Sequence, residues 1–174
     1  RSQILAQIRK ERVTIIHGET GCGKSSRIPV MLLEDAQANN RRCKMMVSQP
    51  RRIAASSLMK RVRQTLGMKV GLRMGHGVKD EGDETNIYFV TTGYLVRLLA
   101  FNPEAFENHT HIIIDEVHER SIDGDVLCYL VKQLLFKHQS IRVILMSATI
   151  HTDLYASYFS DVLDYGGSIE SLSV

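Results

Sequence analysis

Hydrophobic positions along the chain alternate between two kinds of pattern. Near-continuous apolar or β-branched runs occupy 12–18 (RVTIIHG), 43–50 (CKMMVSQP), 87–92 (IYFVTT), 111–116 (HIIIDE) and 141–149 (IRVILMSAT). Stretches of helical composition separate them, at 24–38, 53–67, 93–101, 123–138 and 152–159. Within 53–67, Ala54, Leu58, Val62 and Leu66 recur four apart on one helical face, and Gly67 supplies a stop. Pro29 requires the helix at 24–38 to carry it in its first two turns, where a missing N–H costs least. The stretch 70–78 (VGLRMGHGV) alternates Val70, Leu72 and Met74 with small or polar residues, which predicts a half-exposed strand or ribbon. The acidic 79–86 (KDEGDETN) predicts a solvated loop.

Strands that are apolar on both faces belong in a parallel sheet covered on both sides. Their alternation with helices predicts an α/β fold: a three-layer α/β/α domain around a mostly parallel, doubly wound sheet. The 174 residues suit one such domain, read here over 1–174. No run approaches the ~18 apolar residues of a membrane span, so no membrane partner is expected. The opening RSQILAQIRKER mixes charge with aliphatic groups and lacks the core of a signal peptide. A chain starting at Arg1 reads as a piece of a longer one. Cys22, Cys43 and Cys128 are odd in number and far apart, which fits neither a disulfide framework nor a zinc cluster. A reducing compartment, nuclear or cytoplasmic, is expected. A net charge of +3 says little by itself about partners; where the charge falls matters more.

Two stretches bring chemistry to this frame. Gly18-Glu19-Thr20-Gly21-Cys22-Gly23-Lys24-Ser25, followed by Ser26, fits G-x-x-x-x-G-K-[ST] between a predicted strand and a predicted helix. In that setting successive backbone N–H groups cradle a phosphate, and the helix dipole favours its charge. Lys24 would bridge the β- and γ-phosphates of ATP, and the Ser25 hydroxyl would ligate Mg²⁺. The strand at 111–116 then ends in Asp115 and Glu116. Asp115 suits the metal's water shell, and Glu116 suits the orientation and deprotonation of an attacking water. Acids at a strand's end also cap helices, so the pair has a structural reading too.

DEVH at 115–118, inside DEVHER, resembles motif II of the DEAH-box (DExH) family of superfamily 2 RNA helicases, and GETGCGKS resembles its motif I. QPRRIAA (49–55), TTGYLVRLL (91–99) and SAT (147–149) resemble motifs Ia, Ib and III in the family's order. The resemblance implies a RecA-like ATP-binding lobe that works against a second RecA-like lobe, with ATP and Mg²⁺ as cofactors. It implies that Arg51, Arg52 and Thr91 hold the backbone of single-stranded RNA, and that Arg61 stacks on the nucleotide base. It further implies that His118 joins Lys24, Asp115 and Glu116 at the catalytic centre, and that Ser147 and Thr149 couple ATP state to domain movement. Glu116 would share the metal's surroundings with Ser25 and Asp115. Arginines at a helix start oppose its dipole, so an external anion for Arg51 and Arg52 agrees with elementary electrostatics. The chain departs from the pattern at Val117 (usually Ala or Ile), Thr92 (often Asp) and Arg27 (often Gln). Gly75 and His76 replace the Arg and Phe of the family's RNA-contacting hook. A catalytically silent module that binds nucleotide and RNA is the alternative reading of the same motifs.

Overall fold

A computed structural model describes residues 1–148, 153–162 and 171–173. Among these residues are six α-helices and eight strands in the order α1 (Ser2–Lys10), β1 (Val13–His17), α2 (Lys24–Ala38), β2 (Met45–Gln49), α3 (Arg52–Leu66), β3 (Val70–Met74), β4 (Val78–Asp80), β5 (Ile87–Thr91), α4 (Thr92–Phe101), β6 (His111–Ile114), α5 (Ile122–Lys137), β7 (Arg142–Ser147), α6 (Asp153–Phe159) and β8 (Ser171–Ser173). The strands form one sheet, ordered β4-β3-β5-β2-β6-β7-β1-β8. Every pairing is parallel except β3 with β4.

Alternate residues of each central strand enter opposite cores, which makes the domain three-layered. Val13, Ile15, Met46, Ile112, Ile114, Val143 and Leu145 pack with Leu95, Leu127, Val131 and Leu135 of α4 and α5. Ile16, Met45, Val47, Ile113, Ile144 and Met146 pack with Ile28, Leu33, Ala55 and Met59 of α2 and α3. Such double burial is why those runs lack polar alternation. Crossover helices return each chain segment to the same end, so β1, β2, β5, β6 and β7 all finish on one edge of the sheet. That edge carries the chemistry.

Three local readings need correction, and the first helix was not read at all. The amino-terminal segment forms α1, whose Leu5 and Ile8 are buried; Arg9 pairs with Asp35 of α2. Its apolar stripe is one turn long, too short to be recognised by periodicity. In α3 the buried face is Ala55, Met59 and Val62, with Ala54, Leu58 and Leu66 only half-buried beside it. The helix lies over β3 and β5, turned by about one residue from the predicted face. The 70–78 strand is two strands: β3 is buried between β4 and β5, and β4 is the exposed edge. The acidic segment after it is partly built in. Glu81 takes Arg73 Nε at 2.5 Å and Nη2 at 2.9 Å, and Thr85 donates from its hydroxyl to the Met68 carbonyl. A Cβ at Gly71 would lie 2.9 Å from both Glu81 Cβ and Thr85 Cγ2, so glycine lets this segment close over β3. β8 had no signal in the sequence at all.

Candidate active site

The glycine loop leaves β1 at Gly18 and enters α2 at Lys24. Gly21 (φ 85°) and Gly23 (φ 92°) take left-handed backbone conformations that a Cβ would strain. Gly23 is also the N-cap of α2, where no side chain caps the first turn. The N–H groups of Gly21, Gly23, Lys24 and Ser25 take no acceptor among the described residues. These are the donors a phosphate requires, and the helix start adds its dipole. Lys24 is buried, and its ammonium donates to the carbonyls of Gly18 (2.6 Å) and Glu19 (3.0 Å) and lies 3.6 Å from Cys22 Sγ. Glu19 and Thr20 are exposed at the loop tip; Cys22, Ser25 and Ser26 are half-buried. Ser26 turns its hydroxyl back to the Gly23 carbonyl at 3.2 Å.

Asp115 stands one residue past β6 and is buried. Both its oxygens are engaged: Gln49 Nε2 donates to Oδ2 at 2.5 Å, and the Glu116 N–H donates to Oδ1 at 2.9 Å. Glu116 holds a left-handed backbone (φ 55°), unusual for a non-glycine residue and a form of local strain found at functional sites. Burial, then the neighbouring charge of Asp115, raises the Glu116 pKa above the ordinary carboxylate range. His118 Nδ1 accepts from the Ala148 N–H at 3.1 Å, which assigns the ring proton to Nε2, 3.4 Å from Glu116 Oε2.

These contacts unite three strand ends. β7 lies between β6 and β1. From its end, the Ser147 carbonyl accepts from the Gly18 N–H at 3.1 Å, while Ala148 holds His118. The third motif therefore touches both the glycine loop and the acidic strand. Ser147 sits at that junction; Thr149 lies outside the described residues.

The arginine pair sits one strand further along. Arg51 is the N-cap of α3 and Arg52 its first residue, both exposed. Arg51 Nη2 reaches Glu119 Oε1 at 3.1 Å, so an internal acid as well as any external anion balances it. Thr91 ends β5 beside Gln49 of β2 and is the N-cap of α4. Arg61 is exposed on α3, with no hydrogen bond or ion pair among the described residues. The structure thus brings Lys24, Ser25, Asp115, Glu116, His118 and Ser147 to three adjoining strand ends, and Arg51, Arg52 and Thr91 to the two strands beside them. Sequence reasoning missed Gln49 and Ala148. Both lie inside quoted motifs, but their roles depend on partners 66 and 30 residues away.

The donor set also fits Mg²⁺. Among the described residues no three acids, histidines or cysteines form a dedicated cage. Mg²⁺ needs none, because it keeps several waters and takes one or two protein oxygens with substrate phosphates. Ser25 and Asp115 supply such hard oxygens.

A glycine loop opposed across a parallel sheet by an acidic strand end defines a P-loop nucleotide-binding domain. The chain belongs to the DEAD/DEAH box helicase family, whose model matches residues 1–156. It is 42% identical over 164 residues to the probable ATP-dependent RNA helicase spindle-E of Anopheles gambiae, covering 91% of this chain and 11% of that protein. Identity is 35% over 166 residues to the DExH-box ATP-dependent RNA helicase DExH1 of Arabidopsis thaliana (92% of this chain, 17% of that protein). With the ATP-dependent RNA helicase DHX29 of Mus musculus it is 37% over 171 residues (92% and 12%). The chain thus spans between about a ninth and a sixth of the length of these relatives.

Thiol chemistry offers a direct probe of the loop. Burial pushes the thiols of Cys43 and Cys128 up to about 11 and about 12, so they are protonated and shielded at neutral pH. Cys22 is partly exposed in the glycine loop. Alkylation followed by peptide mass spectrometry is expected to modify Cys22 first, and Cys43 and Cys128 only on unfolding. ATP with Mg²⁺ should slow the Cys22 reaction; labelling at the same rate with and without nucleotide would place the ligand elsewhere.

Proposed function

We propose that this domain binds ATP with Mg²⁺ and forms one half of an RNA-stimulated ATPase that moves on or unwinds RNA. The observation that carries the reading is the stitching of the Gly18–Ser26 loop and the Asp115–Glu116 pair through the end of β7. Bound Mg²⁺ would neutralise phosphate charge during transfer. Ser25 and Asp115 would hold it. Lys24 supplies a buried cation for the terminal phosphates, and the free N–H groups of the loop orient them. Glu116 accepts a proton from water, and its raised pKa makes it a stronger base at neutral pH than an ordinary carboxylate. His118 steers the Glu116 carboxylate from a ring locked by the Ala148 N–H. That contact makes the position of Glu116 sensitive to movement of Ser147 and Thr149. Arg61 stacks on the base, which demands no particular base identity. A second RecA-like lobe would supply cations for the transition state, worth roughly 10³–10⁵ in rate.

Arg51, Arg52 and Thr91 grip the backbone of single-stranded RNA in this reading, without reading its sequence. Replacing both arginines by alanine should weaken binding of single-stranded RNA about tenfold or more at low salt. The slope of log affinity against log salt should fall by roughly 1.4, from about 0.7 per phosphate contact. ATP affinity should be retained. Unchanged RNA affinity and unchanged RNA-stimulated hydrolysis in that variant would remove RNA from the proposal.

A further inference from the structure

Beside Thr91 the sheet edge opens into a groove of about 920 Å³ between the β3–β4 hairpin and α4. Its floor begins at Pro50, Arg52 and Thr91, so it continues directly from the residues assigned to RNA. One wall is the hairpin tip Gly75-His76-Gly77, where His76 (φ 61°) and Gly77 (φ 75°) turn the chain sharply and leave the imidazole exposed. The other wall is α4, which presents Arg97 and Phe101.

Those two residues are four apart on one helix, so they share a face and adjoin along it. Phe101 is 86% exposed, among the largest exposures of any apolar side chain described. Arg97 is exposed and makes no ion pair among the described residues. Two other cations on the lining differ: Arg73 and Lys79 are both bound to Glu81, at 2.5 and 3.0 Å, while Arg52 donates to the Gly75 carbonyl of the hairpin tip at 3.4 Å. Asp123 is the only acid among the described residues of the lining. Free positive charge and an uncovered aromatic ring therefore occur together on one wall of the groove. Single-stranded nucleic acid is bound by this combination, with cations along the backbone and aromatic faces under the bases.

We propose that the groove is a further stretch of the RNA track, in which Arg97 holds a backbone phosphate and one base stacks on Phe101. This rests on the assignment of RNA to Arg51, Arg52 and Thr91 and extends it by a base contact that no sequence motif marks. A basic peptide is disfavoured by the charge, since Asp123 alone among the described lining residues would balance it.

The test uses fluorescence anisotropy with oligouridylates of about four and about twelve nucleotides, within the range of single-strand site sizes. Phe101→Leu keeps the apolar bulk but removes the planar face; Phe101→Tyr keeps the face. The leucine variant should bind the long oligomer roughly fivefold or more weakly than the parent and the short one equally, with tyrosine restoring the affinity. Arg97→Gln should weaken the long oligomer and lower its salt slope by about 0.7, whereas Phe101→Leu should leave the slope unchanged. Long-oligomer affinity unaltered by Phe101→Leu and Arg97→Gln overturns the proposal, and leaves the groove to a protein partner. If the Arg51 and Arg52 variant also binds as the parent does, the underlying RNA assignment fails with it. If that variant alone is weakened, only the groove assignment fails.

Discussion

Glu116→Gln is expected to lower RNA-stimulated ATP turnover by about 10²–10⁴-fold, the usual contribution of a positioned proton acceptor, while nucleotide still binds. Glutamine preserves the shape of the side chain and its reach toward His118 but cannot take a proton. The same substitution should raise stability at neutral pH. Burial and the Asp115 charge raise the Glu116 pKa in the folded protein above its unfolded value. The folded state therefore holds this proton more tightly than the unfolded chain. Stability is lost as pH rises from the unfolded pKa through the folded one, and the penalty stays above it. Glutamine carries no such penalty. Thermal melts should show the variant more stable than the parent near neutrality, with the gap closing in acid below the unfolded pKa. A variant that hydrolyses ATP normally, or that melts lower at neutral pH, would contradict the role assigned to this carboxylate. The strain at its left-handed backbone remains in both proteins and does not affect the comparison.

The second large effect concerns Lys24. Lys24→Ala should weaken ATP binding or turnover by about 10²–10³-fold, the scale on which removal of one preorganised donor is felt. The side chain has two functions in the structure, which lets the loss be tracked independently. Its ammonium holds the Gly18 and Glu19 carbonyls at 2.6 and 3.0 Å, and so fixes the first half of the loop. Without it, Cys22 should alkylate faster even when ATP is absent. Lys24→Arg should not rescue binding, because a planar guanidinium cannot occupy the site of a compact ammonium. Titration with a fluorescent ATP analogue measures the first effect and the labelling rate measures the second. Parent-like nucleotide affinity in the alanine variant would mean that phosphate binds away from this loop.

Most of the candidate site was legible because its parts are contiguous. A phosphate cradle needs glycine at positions such as Gly21 and Gly23, and a lysine at the helix start, all within a few residues. The acidic pair was legible because it ends an apolar run. Arg51 and Arg52 could be placed at a helix start from Pro50 and the periodicity after it. Their balance could not: Glu119, which meets Arg51, lies 68 residues on. Gln49 on Asp115 and the Ala148 N–H on His118 were hidden for the same reason. The groove beside α4 was hidden for a different one. Read as a half-exposed strand or ribbon, 70–78 does not place a wall beside α4; folded as β3 and β4 with a sharp turn at His76, it does.

The sequence by itself determined the three layers, the mostly parallel sheet and the place of the candidate phosphate loop between a strand and a helix. These follow from local quantities: burial period, helix stops and the backbone freedom of glycine. Tertiary structure alone decided the strand order, which puts β7 between β1 and β6. Through that order Ser147 and Ala148 reach Gly18 and His118, and two motifs about 90 residues apart become one site. Strand order depends on which crossovers bury the most apolar surface together, and no window of neighbouring residues contains that sum.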